Sequence, residues 1–171
     1  MSRSFSGMAE RKLDYKGRVA IPDDLLAADG RGLRRAIVLR DSTKLEVSKG
    51  QETRFISIFD TETWQEMLAQ AHRIMDGDEI RFFMDKTVGE IATVDLDATR
   101  RITVPERLLQ YAGIDRQSGV KLVGAVTHIE IWAPRTYELF MEAIAEEGIS
   151  VPSVAELAAR TFIQPVLEAT S

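Results

Sequence analysis

The chain repeats itself, and that repeat limits its possible folds more than any other feature. Leu13, Asp14, Arg18, Val19, Ile21, Pro22, Asp23, Leu25 and Leu26 recur without a gap as Leu96, Asp97, Arg101, Ile102, Val104, Pro105, Glu106, Leu108 and Leu109. Both copies read L-D-x-x-x-R-[VI]-x-[IV]-P-[DE]-x-L-L. Farther on, Phe55-Ile56-Ser57-Ile58-Phe59 followed by Trp64 matches His128-Ile129-Glu130-Ile131-Trp132 followed by Tyr137. The offset between copies falls from 83 to 73 across this interval, which puts about ten extra residues in the first copy, within Asp41 to Arg54. A unit of about 65–80 residues buries little core by itself, so two copies in one chain imply a pseudo-two-fold body with a shared core. The expected segments are a first repeat with its closing helix over 5–76, a second over 77–147, and a helical tail over 148–171.

Each copy predicts the same α+β order. A short apolar strand (Val19-Ala20-Ile21; Ile102-Thr103-Val104) meets a proline suited to the first turn of a helix, where a missing N–H leaves nothing unpaired. β-branched stretches follow, Ala36-Ile37-Val38-Leu39 with 55–59 and Val120-Lys121-Leu122-Val123 with 129–132, and their partial alternation predicts strands with one buried face. A longer helix closes each copy. Trp64, Met67, Leu68, Ala71, Ile74 and Met75 keep a 3.6-residue period after a cap at Asp60 or Thr61, and Tyr137, Phe140, Met141 and Ile144 keep it after Pro134. Ser153 and Glu156 form a capping-box pattern for a tail helix reaching about Phe162.

Composition removes several function classes. With no cysteine there is no disulfide, thiolate metal site or thiol nucleophile. No stretch has the roughly 20 apolar residues of a membrane span, and the first residues lack a secretory apolar run, so a cytoplasmic location without membrane contact is expected. The histidines, His72 and His128, lie in no catalytic or ligand motif. Adjacent acids such as Glu146 and Glu147 read as solvated, and no phosphate-cradling glycine loop occurs. No catalytic residue, metal or cofactor is expected, and the chain does not read as an enzyme. Trp64, Trp132, Phe82 and Phe83 could stack bases, but their periodic positions favour the core.

The net charge of −5 argues against a nucleic-acid partner until its distribution is considered. Residues 1–54 carry 12 Lys and Arg against 8 Asp and Glu, whereas residues 55–171 carry 10 against 19. Arg3, Arg11, Lys12, Lys16 and Arg18 surround the first D-x-x-x-R, where Lys16-Gly17 supplies a turn. Two readings stand for these motifs: ion pairs (Asp14 with Arg18, Asp97 with Arg101) that pin two loops, or a basic loop that meets DNA. Arg11, Lys12, Lys16 and Arg18 favour the second for the first loop. Asp85, Glu90 and Asp95, expected to offset Arg100 and Arg101, favour the first for the second loop.

Phe5-Ser6-Gly7, Leu13 to Arg18, Arg81-Phe82-Phe83, Leu96-Asp97 with Arg101 and Pro105, Tyr111-Ala112-Gly113 and Ile129 to Trp132, in this order, resemble the MraZ family over about residues 5–147. The resemblance implies a tandem pair of AbrB-like swapped-hairpin units forming a pseudo-dimeric, β-barrel-like core with flanking helices. It further implies a nucleoid-associated repressor or regulator, assembled as a ring-shaped homo-oligomer on double-stranded DNA. Its targets would be direct repeats upstream of a cell-division and cell-wall gene cluster. By motif match the DNA-contacting arginine is Arg18, with Lys16 beside it and Arg101 as the second-copy counterpart; Asp14, Gly17 and Asp97 build the turns. The sequence departs from the family at Arg100, where glycine is usual, in the insertion around Lys44 to Gln51, and in the tail after Gly148. A different class of reading is a structural or antitoxin-like protein-interaction module without specific DNA binding.

Overall fold

The computed structural model describes residues 5–22, 25, 33–43, 53–146, 148 and 153–162. The first copy contributes β1 (Met8–Lys12), β2 (Arg18–Ala20), β3 (Arg35–Thr43), β4 (Thr53–Asp60) and α1 (Thr61–Ile74). Helix α2 (Gly77–Thr87) and a 3₁₀ turn (Val88–Glu90) lead into the second, which contributes β5 (Ala92–Asp95), β6 (Arg101–Thr103), α3 (Glu106–Tyr111), β7 (Gly119–Gly124), β8 (Ile129–Trp132) and α4 (Pro134–Glu146). Helix α5 (Val154–Phe162) follows. The result is an α+β protein with an antiparallel sheet.

Six strands run in the order β1-β7-β8-β4-β3-β5, and β2 pairs with β6 in a separate ribbon. The pairing follows the sequence repeat. The first strand of each copy lies on the third strand of the other, β1 on β7 and β5 on β3, while the fourth strands β4 and β8 meet at the centre. The β-barrel-like closure expected from the resemblance does not form among the described residues. The sheet is open, with β1 and β5 at its edges, because the short second strands pair with each other outside it.

One core serves both copies: Leu13, Val19 and Ile21 pack with Ile102, Val104, Leu108 and Leu109 above Ile56, Ile58, Ile129 and Ile131. A smaller cluster, Ile37, Leu39, Phe59 and Trp64, with Leu68 and Phe83 against it, occupies the opposite face of β3 and β4 beneath α1 and α2. Ala36 to Leu39 and Phe55 to Asp60 are therefore buried continuously, not on the single face expected from their partial alternation. A helix layer on one side and the shared core on the other leave no polar face there.

Local chemistry sets the helix ends. Asp60 caps α1, accepting from Thr63 N at 2.9 Å and Thr63 Oγ1 at 2.7 Å. Helix α2 starts with a reciprocal box between Asp76 and Glu79, and α5 with the corresponding pair Ser153 and Glu156. Pro105 is the N-cap of α3, one position earlier than the first-turn role expected of it. Phe82, expected in the core, is 61% exposed on α2, whereas Trp64 and Trp132 are buried and Trp132 stacks on Phe55 with centroids 4.3 Å apart.

Candidate nucleic-acid interface

The two D-x-x-x-R segments form nearly identical turns. In each, the Asp backbone N–H donates to the Arg carbonyl (Asp14 to Arg18, 3.0 Å; Asp97 to Arg101, 3.0 Å), and the fourth residue donates back to the Asp carbonyl (Gly17, 3.0 Å; Arg100, 2.9 Å). The carboxylate then organises the interior: Asp14 Oδ1 accepts from Lys16 N and Arg18 N, and Asp97 Oδ1 from Thr99 N and Arg101 N, all at 2.9 Å. This geometry puts the fourth residue in the left-handed region, with φ of 75° at Gly17 and 60° at Arg100. Arg100 thus reproduces the turn shape that glycine makes easily, against the steric objection to a Cβ there. At Gly17 the space is closed as well, because a Cβ would lie 3.3 Å from the Val104 carbonyl oxygen.

The β2–β6 ribbon brings the turns together. Val104 N donates to Gly17 O at 2.9 Å and Ile21 N to Arg100 O at 3.0 Å, two symmetry-related ties that anchor each turn to the opposite copy. Arg18 Nε donates to Asp14 Oδ2 at 2.6 Å and Arg101 Nε to Asp97 Oδ2 at 2.9 Å. Arg101 Nη1 also comes within 3.9 Å of Asp14 Oδ2, joining the pairs into one network. Both arginine side chains are partly exposed, at 25% and 35%. At Asp14, burial pushes the carboxyl upward, but hydrogen bonds from the Arg18 backbone and guanidinium and from Lys16 N outweigh it and hold the group below its usual range. The Asp97 carboxyl is held far below that range, chiefly by the Arg101 N–H.

Lys16 is exposed at the tip of the first turn, with Nζ 5.6 Å from the ring centre of Tyr15, which is also exposed. The second turn has Ala98 and Thr99 there, and the Thr99 hydroxyl donates to Asp97. Arg11 and Lys12 are exposed on edge strand β1, beside β7 and off the turn itself. Arg3 lies outside the described residues. Arg116, which the sequence reading missed, sits beside the first turn, its Nε about 4.0 Å from where a Gly17 Cβ would be, and pairs with Glu106 at 2.7 Å. Only the fold reveals it, because it lies nearly a hundred residues along the chain from that turn. Two of the acids expected to offset Arg100 and Arg101 are engaged elsewhere: Asp95 pairs with Arg35 at 2.7 Å and Glu90 with Arg40 at 3.1 Å. Among the described residues no helix is long and apolar enough to cross a membrane.

Comparisons with known proteins point the same way as the paired turns. A family model described as "MraZ protein, putative antitoxin-like" matches residues 88–159. A protein of Bacteroides fragilis named "Transcriptional regulator MraZ" is 31% identical over 141 residues, covering 81% of this chain and 83% of its own length. A namesake from Thermomicrobium roseum is 29% identical over 154 residues, covering 89% and 95%. One from Cutibacterium acnes is 28% identical over 147 residues, covering 83% and 90%.

Proposed function

The chain belongs to the MraZ family of transcriptional regulators, and from that premise we propose that it binds double-stranded DNA sequence-specifically through the turn at 14–18. The observation that carries this reading is the juxtaposition of both D-x-x-x-R turns on one ribbon, with Lys16 exposed at the first. Asp14 engages the Nε edge of Arg18. The terminal nitrogens, the fork that reads guanine in a major groove, are not used by that pair. In this reading Arg18 contacts a base, Lys16, Arg11, Lys12 and Arg3 meet phosphate, and Asp14, Gly17 and Asp97 shape the turns. Arg101 acts as a positioning residue, a role supported by its approach to Asp14 in the first turn.

The target is a set of direct repeats upstream of a cell-division and cell-wall gene cluster, bound by a ring-shaped homo-oligomer on the cytoplasmic nucleoid, with no cofactor or catalysis. The fold is read as two AbrB-like swapped-hairpin units, 5–76 and 77–147, with 148–171 as a tail; the cross-copy strand pairing supports it. The test is footprinting on DNA upstream of the chain's own gene, with Arg18→Ala as the variant. Circular dichroism should remain native while operator binding is lost, since a base contact contributes roughly 1–3 kcal/mol at its position in each protomer. A folded Arg18→Ala protein that binds normally removes the assignment.

One observation favours the interaction-module reading: both motif arginines are held by aspartates, as in a structural pin. A salt titration separates the two. Phosphate contacts require affinity for duplex DNA to fall steeply as salt rises, whereas an interaction module shows no saturable duplex binding at any salt concentration.

A further inference from the structure

One side chain of the first turn has no part in holding it. Tyr15 is 62% exposed, and among the described side chains only it and Phe82 present an aromatic ring to solvent in this way. The repeat supplies an internal comparison. Ala98 stands at the matching position of the second copy, and that turn keeps the same backbone and carboxylate hydrogen bonds with a methyl group in place of the ring. The aromatic is therefore not needed to form the turn. Leaving so much apolar carbon in water contributes nothing to folding, whereas covering it on a bound surface is favourable.

The turn beneath the ring is fixed from within and from the other copy. Asp14 gathers the backbone N–H groups of Lys16 and Arg18. The second copy ties both flanks, with Ser118 O accepting from Leu13 N at 3.0 Å and Val104 N donating to Gly17 O at 2.9 Å. A ring mounted on such a turn has only its two side-chain torsions left to order when it binds. Lys16 restrains them, since its Nζ lies 5.6 Å from the ring centre, within the range of a cation–π contact. Tyr15, Lys16 and Arg18 thus place an apolar group, a point charge and a forked donor on one short segment.

We propose that Tyr15 is a specificity-determining residue, which packs its ring on the 5-methyl group of a thymine beside the base read by Arg18. This assignment rests on the reading that the turn at 14–18 meets DNA. Among the base edges in the major groove the thymine methyl is the apolar feature, and apolar side chains read it by direct contact. A ring inserted between base pairs would have to unstack them, whereas the methyl lies at the groove surface and is reached without deforming the duplex.

The probe is the duplex upstream of the chain's own gene, prepared once with thymidine and once with deoxyuridine, which lacks only that methyl. In gel shifts the full chain should bind the deoxyuridine duplex more weakly, by about fourfold for each methyl contacted. Tyr15→Ala, checked by circular dichroism, should bind the thymidine duplex more weakly and no longer distinguish the two; Ala98 shows that the turn forms with this residue. Tyr15→Phe should distinguish them as the wild type does. Equal binding of both duplexes by the wild type, or discrimination that persists in folded Tyr15→Ala, would overturn the proposal. Loss of discrimination in Tyr15→Phe would do so as well, because it would assign the effect to the hydroxyl. Arg18→Ala separates this inference from the reading beneath it. A wild-type protein that binds neither duplex removes both, whereas binding that needs Arg18 but is indifferent to Tyr15 removes the tyrosine contact alone.

Discussion

Gly17 and Arg100 hold the same left-handed conformation with opposite steric consequences. At Gly17 a methyl group meets the Val104 carbonyl oxygen at 3.3 Å, and that carbonyl belongs to the residue whose own N–H anchors the turn. Gly17→Ala should therefore destabilise the protein by about 1–3 kcal/mol in urea denaturation. Arg100→Gly relieves about 1 kcal/mol of backbone strain but adds a similar unfolded-state entropy, so the backbone change by itself should move stability by less than about 1 kcal/mol. A large loss at Arg100→Gly would mean that its side chain, and not its backbone, holds the second turn. The carboxylates make a separate prediction. Both Asp14 and Asp97 are held below their usual range, so their contribution to stability is fully present above the ordinary carboxylate value of about 4 and is lost as the pH falls below it. Urea midpoints should be insensitive to these groups between about pH 5 and 8, and Asp97→Asn should flatten the acid limb below about pH 4. The motif itself was readable in the sequence, whereas the Arg101 to Asp14 approach and the place of Arg116 depend on folding that joins distant segments.

At the level of elements, helix starts are set by short-range chemistry, and that chemistry explains what could be read in advance. The capped, periodic segments that became α1, α4 and α5 were all legible. Helix α2 was not, although Asp76 and Glu79 stand at capping-box spacing and its apolar residues recur with a helical period; it follows α1 after only two residues, and no residue of it is fully buried. The strands β3 and β4 misled for the opposite reason. Their two-sided burial depends on α1 folding back over them, which no local pattern encodes. Asp60 is the cap with the most at stake, since it is buried and takes two hydrogen bonds from Thr63. Asp60→Ala should lower stability by about 1–2 kcal/mol, read as a reduced melting temperature with the β-sheet signal retained at low temperature. An unchanged melting temperature would show that packing of Trp64 on Phe59 sets the helix start without the cap.

For the molecule as a whole, one turn on an acidic chain reads few base pairs, so the proposed DNA binding depends on several protomers engaging an array together. Linked contacts can raise affinity by on the order of 10²–10⁴ when spacing fits. Inserting about five base pairs between repeats rotates one site to the far side of the duplex and should abolish most of that gain in gel shifts. A monomer by light scattering that binds one repeat as tightly as three would contradict it. The exchange of first strands between copies has a different consequence, which concerns the time during which the chain is being made. Strand β1 is complete at Lys12, but its partner β7 begins at Gly119. At translation rates of about 5–20 residues per second, it waits roughly 5–20 s for that partner to be synthesised. During that interval Ala36, Val38, Ile56 and Ile58, whose cover comes partly from the second copy, stand on an unfinished hairpin. A ribosome that stalls before the second copy emerges leaves these apolar residues without the second-copy side chains that pack on them, so truncated products of this gene should be substrates for chaperones and proteases.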